Sequence, residues 1–259
     1  MASGEPEWRE RIGEDTYTSL RNYSVHLGRY LFAADYVKQK GTVCDLACAE
    51  GYGSEILGAK GAEVVGCDIS LTSVSRANHG HQSSNLNWVN LDAQELPFME
   101  GCFQTLVSFE VIEHLVNPTK YLAECKRVTR PGGTILFSSP NRLGNLVHSP
   151  FHVREYSFAE LEDLISTTFP SSKILGYLPS HSPTGRSIVT ALKTATLRNA
   201  LLRTVVNLTS RLPGMGGYRV IKPNRVKGIG RMNLGTDYFP YELTAESPIP
   251  TYFIVIIQR

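Results

Sequence analysis

The chain has 259 residues, 42% hydrophobic and 19% charged, an ordinary globular composition that suits one large α/β domain, with or without an insertion. No apolar run is long enough to span a bilayer, and the polar stretch 1–14 lacks the apolar centre of a secretory leader. The net charge of +2 hides an asymmetry: residues 180–236 hold ten Lys or Arg and no Asp or Glu, so the remaining 16 basic and 24 acidic residues carry −8.

Residues 15–39 read as helical, with apolar or aromatic positions at Tyr23, Leu27, Tyr30, Leu31, Ala34 and Val37, and Gly41 stops the element. His26 and Arg29 lie in this stretch, where a solvated helix face competes with a binding role. A short apolar run, 42–46, then ends in Ala47-Cys48-Ala49-Glu50-Gly51-Tyr52-Gly53, and a helical pattern follows from Ser54. Strand, tight turn and helix in this order let backbone N–H groups approach a ligand closely. Asp45 adds a negative charge at the strand end, which suits a positively charged ligand better than a bare pyrophosphate.

Glu63-Val64-Val65-Gly66-Cys67-Asp68 is a second buried strand ending in an acid, 23 residues after Asp45. A carboxylate at this distance can accept the hydroxyls of a ribose. A third strand near 86–89 leads into Leu91-Asp92-Ala93-Gln94-Glu95-Leu96-Pro97-Phe98. Residues 103–109 form a fourth strand running into Glu110-Val111-Ile112-Glu113-His114, and Arg130-Pro131-Gly132-Gly133 turns into a fifth over Thr134-Ile135-Leu136-Phe137. The run Phe151-His152-Val153-Arg154-Glu155-Tyr156-Ser157 precedes a helix through Leu161, Leu164 and Ile165, with Ser157 and Glu160 placed as a capping box. A sixth strand is expected over 174–178 and a last buried strand over 252–257.

These five motifs, in their order and spacing, resemble the class I S-adenosylmethionine-dependent methyltransferases over roughly 41–180 and the last strand. The resemblance implies a Rossmann-like, doubly wound, seven-stranded and mainly parallel sheet with an antiparallel last strand beside the sixth. It implies S-adenosylmethionine as cofactor. Asp45 and the loop through Ala47, Ala49, Gly51 and Gly53 would hold the methionine end, Asp68 the ribose, and Asp92 with Ala93 the adenine, with Ile69 packed on the adenine face. Phe109 and Glu110 would border the methyl-transfer channel. The family's loop usually carries glycine where this chain has Ala47 and Ala49, and an added Cβ disfavours φ > 0. His26-Leu27-Gly28-Arg29-Tyr30-Leu31-Phe32-Ala33 is similar to a pattern in methyltransferases of bacterial surface-sugar pathways, and Arg29 would pair with the cofactor carboxylate.

The organisation expected is a single domain, 1–259: a helical cap over 1–40, the cofactor-binding core over 41–179, a basic and partly helical insertion over 180–247 and the final strand over 248–259. Methyl transfer to a hydroxyl needs alignment and a proton acceptor. His114 is the first candidate and His152 the second, each against a structural reading as a loop anchor. No metal site is evident, since Asp and His residues are too scattered for a spacing argument, and metal-dependent transfer stays open because its ligands would lie far apart in the sequence. The acceptor expected first is a sugar or glycan-precursor hydroxyl on a small, anionic molecule. A lipid, quinone or amine acceptor at a membrane surface is the alternative, with a basic amphipathic helix over 187–212 as the surface element. The same apolar positions would otherwise pack on the domain or on a second copy in a homodimer. A non-catalytic cofactor-binding partner protein is a further reading, motivated by Ala49.

Nucleic acid is disfavoured as acceptor, because Tyr218 stands nearly alone as an aromatic in the basic stretch and the fourth strand lacks a motif for exocyclic base amines. A dinucleotide oxidoreductase fits poorly, since Ala47, Ala49 and Gly51 do not give its glycine pattern. The five cysteines (44, 48, 67, 102 and 125) show no disulfide framework and read as small buried residues of a cytoplasmic protein.

Overall fold

A computed structural model describes residues 20–144, 149–177, 241–242 and 251–259. The expected helix over 187–212 and almost all of the insertion 180–247 lie outside the described residues. Eight strands form one sheet in the order β3-β2-β1-β4-β5-β8-β6-β7, where β1 is Thr42–Leu46, β2 Glu63–Asp68, β3 Leu86–Asn90, β4 Phe103–Ser108, β5 Thr129–Pro140, β6 Ser172–Tyr177, β7 Tyr241–Glu242 and β8 Tyr252–Gln258. Strands β3, β2, β1, β4 and β5 pair in parallel, and β8 lies antiparallel between β5 and β6. The expected seven-stranded sheet is therefore present, with the two-residue β7 added antiparallel at the edge of β6.

The central strands are buried on both faces, as a parallel sheet with flanking helices requires. Every residue of β4 is buried, and only Thr42 of β1 is exposed. The helices carry local start signals. In α3 (Leu71–Gly80) the Ser70 side chain accepts from the Ser73 N–H, and in α4 (Pro118–Val128) Asn117 accepts from the Lys120 N–H with proline at the first helical position. The capping box at α5 (Phe158–Ser166) forms as the sequence predicts. In α4 the buried positions Tyr121, Leu122, Cys125 and Val128 recur at helical spacing and meet the core through β4 and β5 residues such as Leu106, Ile135 and Phe137.

The Arg130–Gly133 turn becomes a bulge inside β5. Phe103 pairs with Thr129 and Thr105 with Thr134, so β5 carries three extra residues against β4. Gly132 takes φ +72°, and a Cβ on Gly133 would lie 2.8 Å from the Gln104 carbonyl oxygen.

Chain order sets the site. From β1 the chain winds outward to β2 and β3, then crosses back to β4 on the other side of β1. Ligands of open α/β sheets bind at such a reversal, outside the carboxyl ends of the strands. The leading helix α1 (Leu20–Ala33) packs over α2 (Tyr52–Gly58) at this end. No helix among the described residues is long and apolar enough to cross a membrane. All five cysteines are free, four of them buried, and burial is the main force raising the Cys48 and Cys125 thiols, which makes them poor nucleophiles.

Candidate active site

A cavity of about 340 Å³ opens at the carboxyl ends of β1, β2, β3 and β4. Its wall includes Ala47, Ala49, Asp68, Ile69, Asp92, Ala93, Phe109, Glu110 and His114, nine of the residues selected from the sequence. The size falls in the roughly 300–1,000 Å³ range of small-molecule sites.

The floor is strained. Ala47 has φ +64°, Ala49 φ +49° and Glu110 φ +56°, all in the left-handed region. Such conformations cost about 1–3 kcal/mol each and persist only where the surroundings enforce them. The restraints are visible: Cys48 N donates to the Cys67 carbonyl at 2.9 Å, and Ala49 N donates to Asp68 Oδ2 at 3.0 Å. Ser70 N donates to Asp68 Oδ1 at 2.8 Å, so Asp68, 8% exposed, is fixed by one backbone donor on each oxygen. Both oxygens keep lone pairs for hydroxyl donors of a ligand. The alanines therefore take the backbone geometry that glycine would take more cheaply.

Asp45 is placed differently from the expectation. It is fully buried off the cavity wall and accepts from Ser54 Oγ at 2.6 Å and Tyr30 Oη at 3.0 Å. Burial pushes its carboxyl up to about 7, against the opposing effect of those two hydrogen bonds and with a further upward contribution from Asp68. Its role here is to join α1 and α2 to the end of β1. Gly51 and Gly53 also lie off the wall. A Cβ on Gly53 would come within 2.1 Å of the Tyr30 ring, and one on Gly51, at φ +88°, within 2.4 Å of the Trp88 ring. Their smallness lets these aromatics pack, and Tyr30 rather than a glycine reaches the cavity.

Arg29 is not on a solvated face. It is fully buried, with its guanidinium 4.3 Å from the Tyr252 ring centroid and Nη1 3.2 Å from Glu110 Oε1. Ser138 Oγ accepts from Glu110 N at 3.1 Å and donates to Glu110 Oε1 at 2.7 Å. Arg29 thus holds Glu110 rather than forming the wall itself, and Ser138, which the sequence did not mark, fixes the strained residue. His26 does line the cavity, and burial, then the nearby Arg29 charge, lowers its pKa well below the ordinary value.

At the other end stand His114, Val111, Leu115, Val116 and Phe151. His114 ends a 3-10 turn over Ile112–His114, and its Nδ1 lies 3.1 Å from the Phe151 carbonyl oxygen. A carbonyl only accepts, so Nδ1 carries the hydrogen and Nε2 is the lone-pair nitrogen of the neutral ring. His152 is not on the cavity wall, yet its ring packs edge-on against His114 with centroids 4.8 Å apart. Its Nδ1 is 2.7 Å from Glu155 Oε1. Backbone bonds bring the two histidines together: the N–H groups of Val153 and Arg154 both donate to the Glu113 carbonyl, at 2.8 and 3.1 Å. No spacing in the sequence announces this.

The methyltransferase domain family matches residues 44–137, the strands and turns that build this cavity. The chain carries a class I S-adenosylmethionine-dependent methyltransferase domain. It is 35% identical over 130 residues to a probable S-adenosylmethionine-dependent methyltransferase of Mycolicibacterium smegmatis, covering 48% of this chain and 50% of that one. It is 33% identical over 100 residues to a ubiquinone biosynthesis O-methyltransferase of Cereibacter sphaeroides, covering 38% and 40%. The chain thus spans about half the length, or less, of the curated relatives it matches. A solved S-adenosylmethionine-dependent methyltransferase of Archaeoglobus fulgidus shares the fold with a TM-score of 0.59 at 17% identity, over 95% of this chain and 97% of that one.

The methyltransferase domain takes S-adenosylmethionine as its cofactor. The residues present suit this molecule: Asp68 offers acceptors for a ribose, exposed Ile69 an apolar surface for a flat ring, and the opened backbone at Ala47 and Ala49 room for close approach.

Proposed function

We propose that the protein transfers a methyl group from S-adenosylmethionine to a hydroxyl of a small molecule whose body is apolar, a phenol, quinol or lipid type of acceptor. The bound cofactor supplies a methyl group on a cationic sulfur, open to direct displacement. The observation that carries the acceptor reading is the wall beside His114. Phe109, Val111, Leu115, Val116 and Phe151 line it, and Val116 is 85% exposed. Such a wall gains by covering an apolar ring or chain and offers few partners to a polyhydroxylated sugar. The similarity to a ubiquinone biosynthesis O-methyltransferase supports the same direction.

His114 is the side chain assigned to the acceptor proton, because its lone-pair nitrogen belongs to a residue on the cavity wall. Glu110 contributes negative charge at the mouth of β4, held by Arg29 and Ser138. Tyr30, edge-on to Phe109 with centroids 5.2 Å apart, helps exclude water from that end.

A second reading keeps a sugar or glycan-precursor hydroxyl on an anionic carrier. The ten cations and no acids of residues 180–236 favour it, as attraction for a phosphate would. A transfer assay with radiolabelled S-adenosylmethionine, run against catechols and quinols in one set and nucleotide sugars in the other, separates the two. Turnover of the first set is expected. Methylation confined to the nucleotide sugars overturns the apolar-acceptor reading.

A further inference from the structure

We propose that Glu113, His114 and His152 form a site for one divalent cation beside the acceptor end of the cavity. Glu113 and His114 leave β4 in one turn, and His152 arrives from the loop after β5, 38 residues on. A ligand atom from each of the three lies within 4.8 Å of the other two. Ligand atoms about 2.1 Å from a tetrahedral metal lie roughly 3.4 Å apart, so side-chain rotations that draw the three groups together by up to about 1.4 Å close the site.

Three further features separate this group from an accidental cluster. Both imidazoles are oriented from behind through Nδ1, His114 by the Phe151 carbonyl and His152 by the carboxylate of buried Glu155. That arrangement presents Nε2 as the metal-binding nitrogen and is the usual outer support of a ligating histidine. The Glu113 carboxyl group is 0% exposed, so bulk water does not compete for it as a ligand. The backbone bonds from Val153 and Arg154 to the Glu113 carbonyl fix the loop that supplies His152, so the three groups are placed before any ion arrives.

Two imidazoles and one carboxylate select zinc, cobalt or manganese over calcium or magnesium. Of the three groups His114 lines the cavity, so an ion held there would lie at that end of it, within reach of an acceptor oxygen. A cation there lowers the pKa of an acceptor hydroxyl. With the ion bound, His114 Nε2 is its ligand and no longer takes the acceptor proton: the hydroxyl proton leaves to water, the oxygen forms its bond to the methyl carbon, and the carbon–sulfur bond breaks with its electron pair going to sulfur. This use of the ion rests on the methyl-transfer reading; its binding does not.

The test titrates Co²⁺ into chelator-stripped full-length protein and follows the visible ligand-field bands, with S-adenosylhomocysteine binding measured by calorimetry on the same sample. One bound Co²⁺ per chain is expected. His114→Asn and His152→Asn keep a donor where Nδ1 stood and remove Nε2. Each should weaken Co²⁺ by at least about tenfold, the lower end of what loss of an outer support alone costs, while still binding S-adenosylhomocysteine. His79→Ala, at an exposed histidine of α3, should bind Co²⁺ as the parent does. No Co²⁺ binding by protein that binds S-adenosylhomocysteine, or binding indifferent to both asparagine variants, overturns the site and leaves the methyl-transfer reading standing. Failure to bind S-adenosylhomocysteine with Co²⁺ bound overturns that reading and leaves the site.

Discussion

At the ends of β1, β2 and β3 the cavity wall comes from residues 46–49 and Tyr52, 67–69 and 91–94, each stretch at or just beyond the end of its own strand. At the end of β4 it comes from residues 109–116 and from Phe151, which is reached only after β5 has been laid down. The first region is held by backbone donors on one carboxylate, Asp68, and by forced φ angles at two alanines. The second is held by longer-range bonds, from His114 Nδ1 to the Phe151 carbonyl and from the Val153 and Arg154 N–H groups to the Glu113 carbonyl. The difference teaches that a turn and one acid can be made rigid by bonds between near neighbours in the fold. The acceptor end depends instead on how two distant loops meet, and a fold can vary it without disturbing the cofactor.

Substitutions that affect one region and spare the other probe this division. The largest effect is expected for His114→Ala. Turnover should fall by on the order of 10²- to 10⁴-fold while S-adenosylhomocysteine affinity is unchanged, read by a transfer assay beside calorimetry. Unchanged turnover would remove His114 from the chemistry and blur the division. Asp68→Ala should do the reverse and weaken S-adenosylhomocysteine by on the order of 100-fold, since hydrogen bonds to a charged acceptor are worth about 1.5–3 kcal/mol each. The same calorimetry tests it, and full affinity in this variant would move the ribose site elsewhere.

A smaller effect is expected beneath the cofactor region. Asp45 titrates at about 7 in the folded protein against 3.8 for the ordinary group. Between those values the folded state holds a proton that the unfolded chain has released. Raising the pH therefore favours unfolding across that window, and above it the difference is constant. Relative to Asp45→Asn, the parent should lose about 2 kcal/mol of stability from pH 5 to pH 7. Urea unfolding at the two pH values measures this, and parallel curves for both proteins would show that Asp45 is not the titrating group. The smallest effect is a gain. Ala49→Gly relieves the Cβ strain at φ +49° and should add up to about 1 kcal/mol, or roughly 2–4 °C in Tm, without loss of cofactor affinity. A loss of stability would show that the surroundings favour the alanine methyl more than its backbone resists.

The order of the strands, the capping box of α5 and the acid at the end of β2 were legible because each depends on neighbours in sequence. Asp68 could be placed from strand pattern and distance alone. Gly51 and Gly53 were read as part of a cofactor-holding loop, and nothing local shows that Trp88 and Tyr30 fold against them instead. Arg29 carried a charge that suggested solvent or ligand, and only its packing on Tyr252, from the last strand, shows why it is buried. His114 and His152 were each legible as titratable residues near the cofactor's reactive end. Their contact was not, because it depends on a main-chain carbonyl of Glu113, which no side-chain pattern reports.

The position of β8 governs how this protein is made. The strand is inserted between β5 and β6, and 74 residues separate it from the end of β6. At about 5–20 residues per second, a ribosome needs roughly 4–15 s to deliver it after β6 is complete. Throughout that interval β5 and β6 have open, apolar edges toward each other, which are templates for the strands of other nascent chains. Chains interrupted before residue 252 should therefore aggregate, even though the cavity-wall residues, from His26 to Phe151, have already been synthesised.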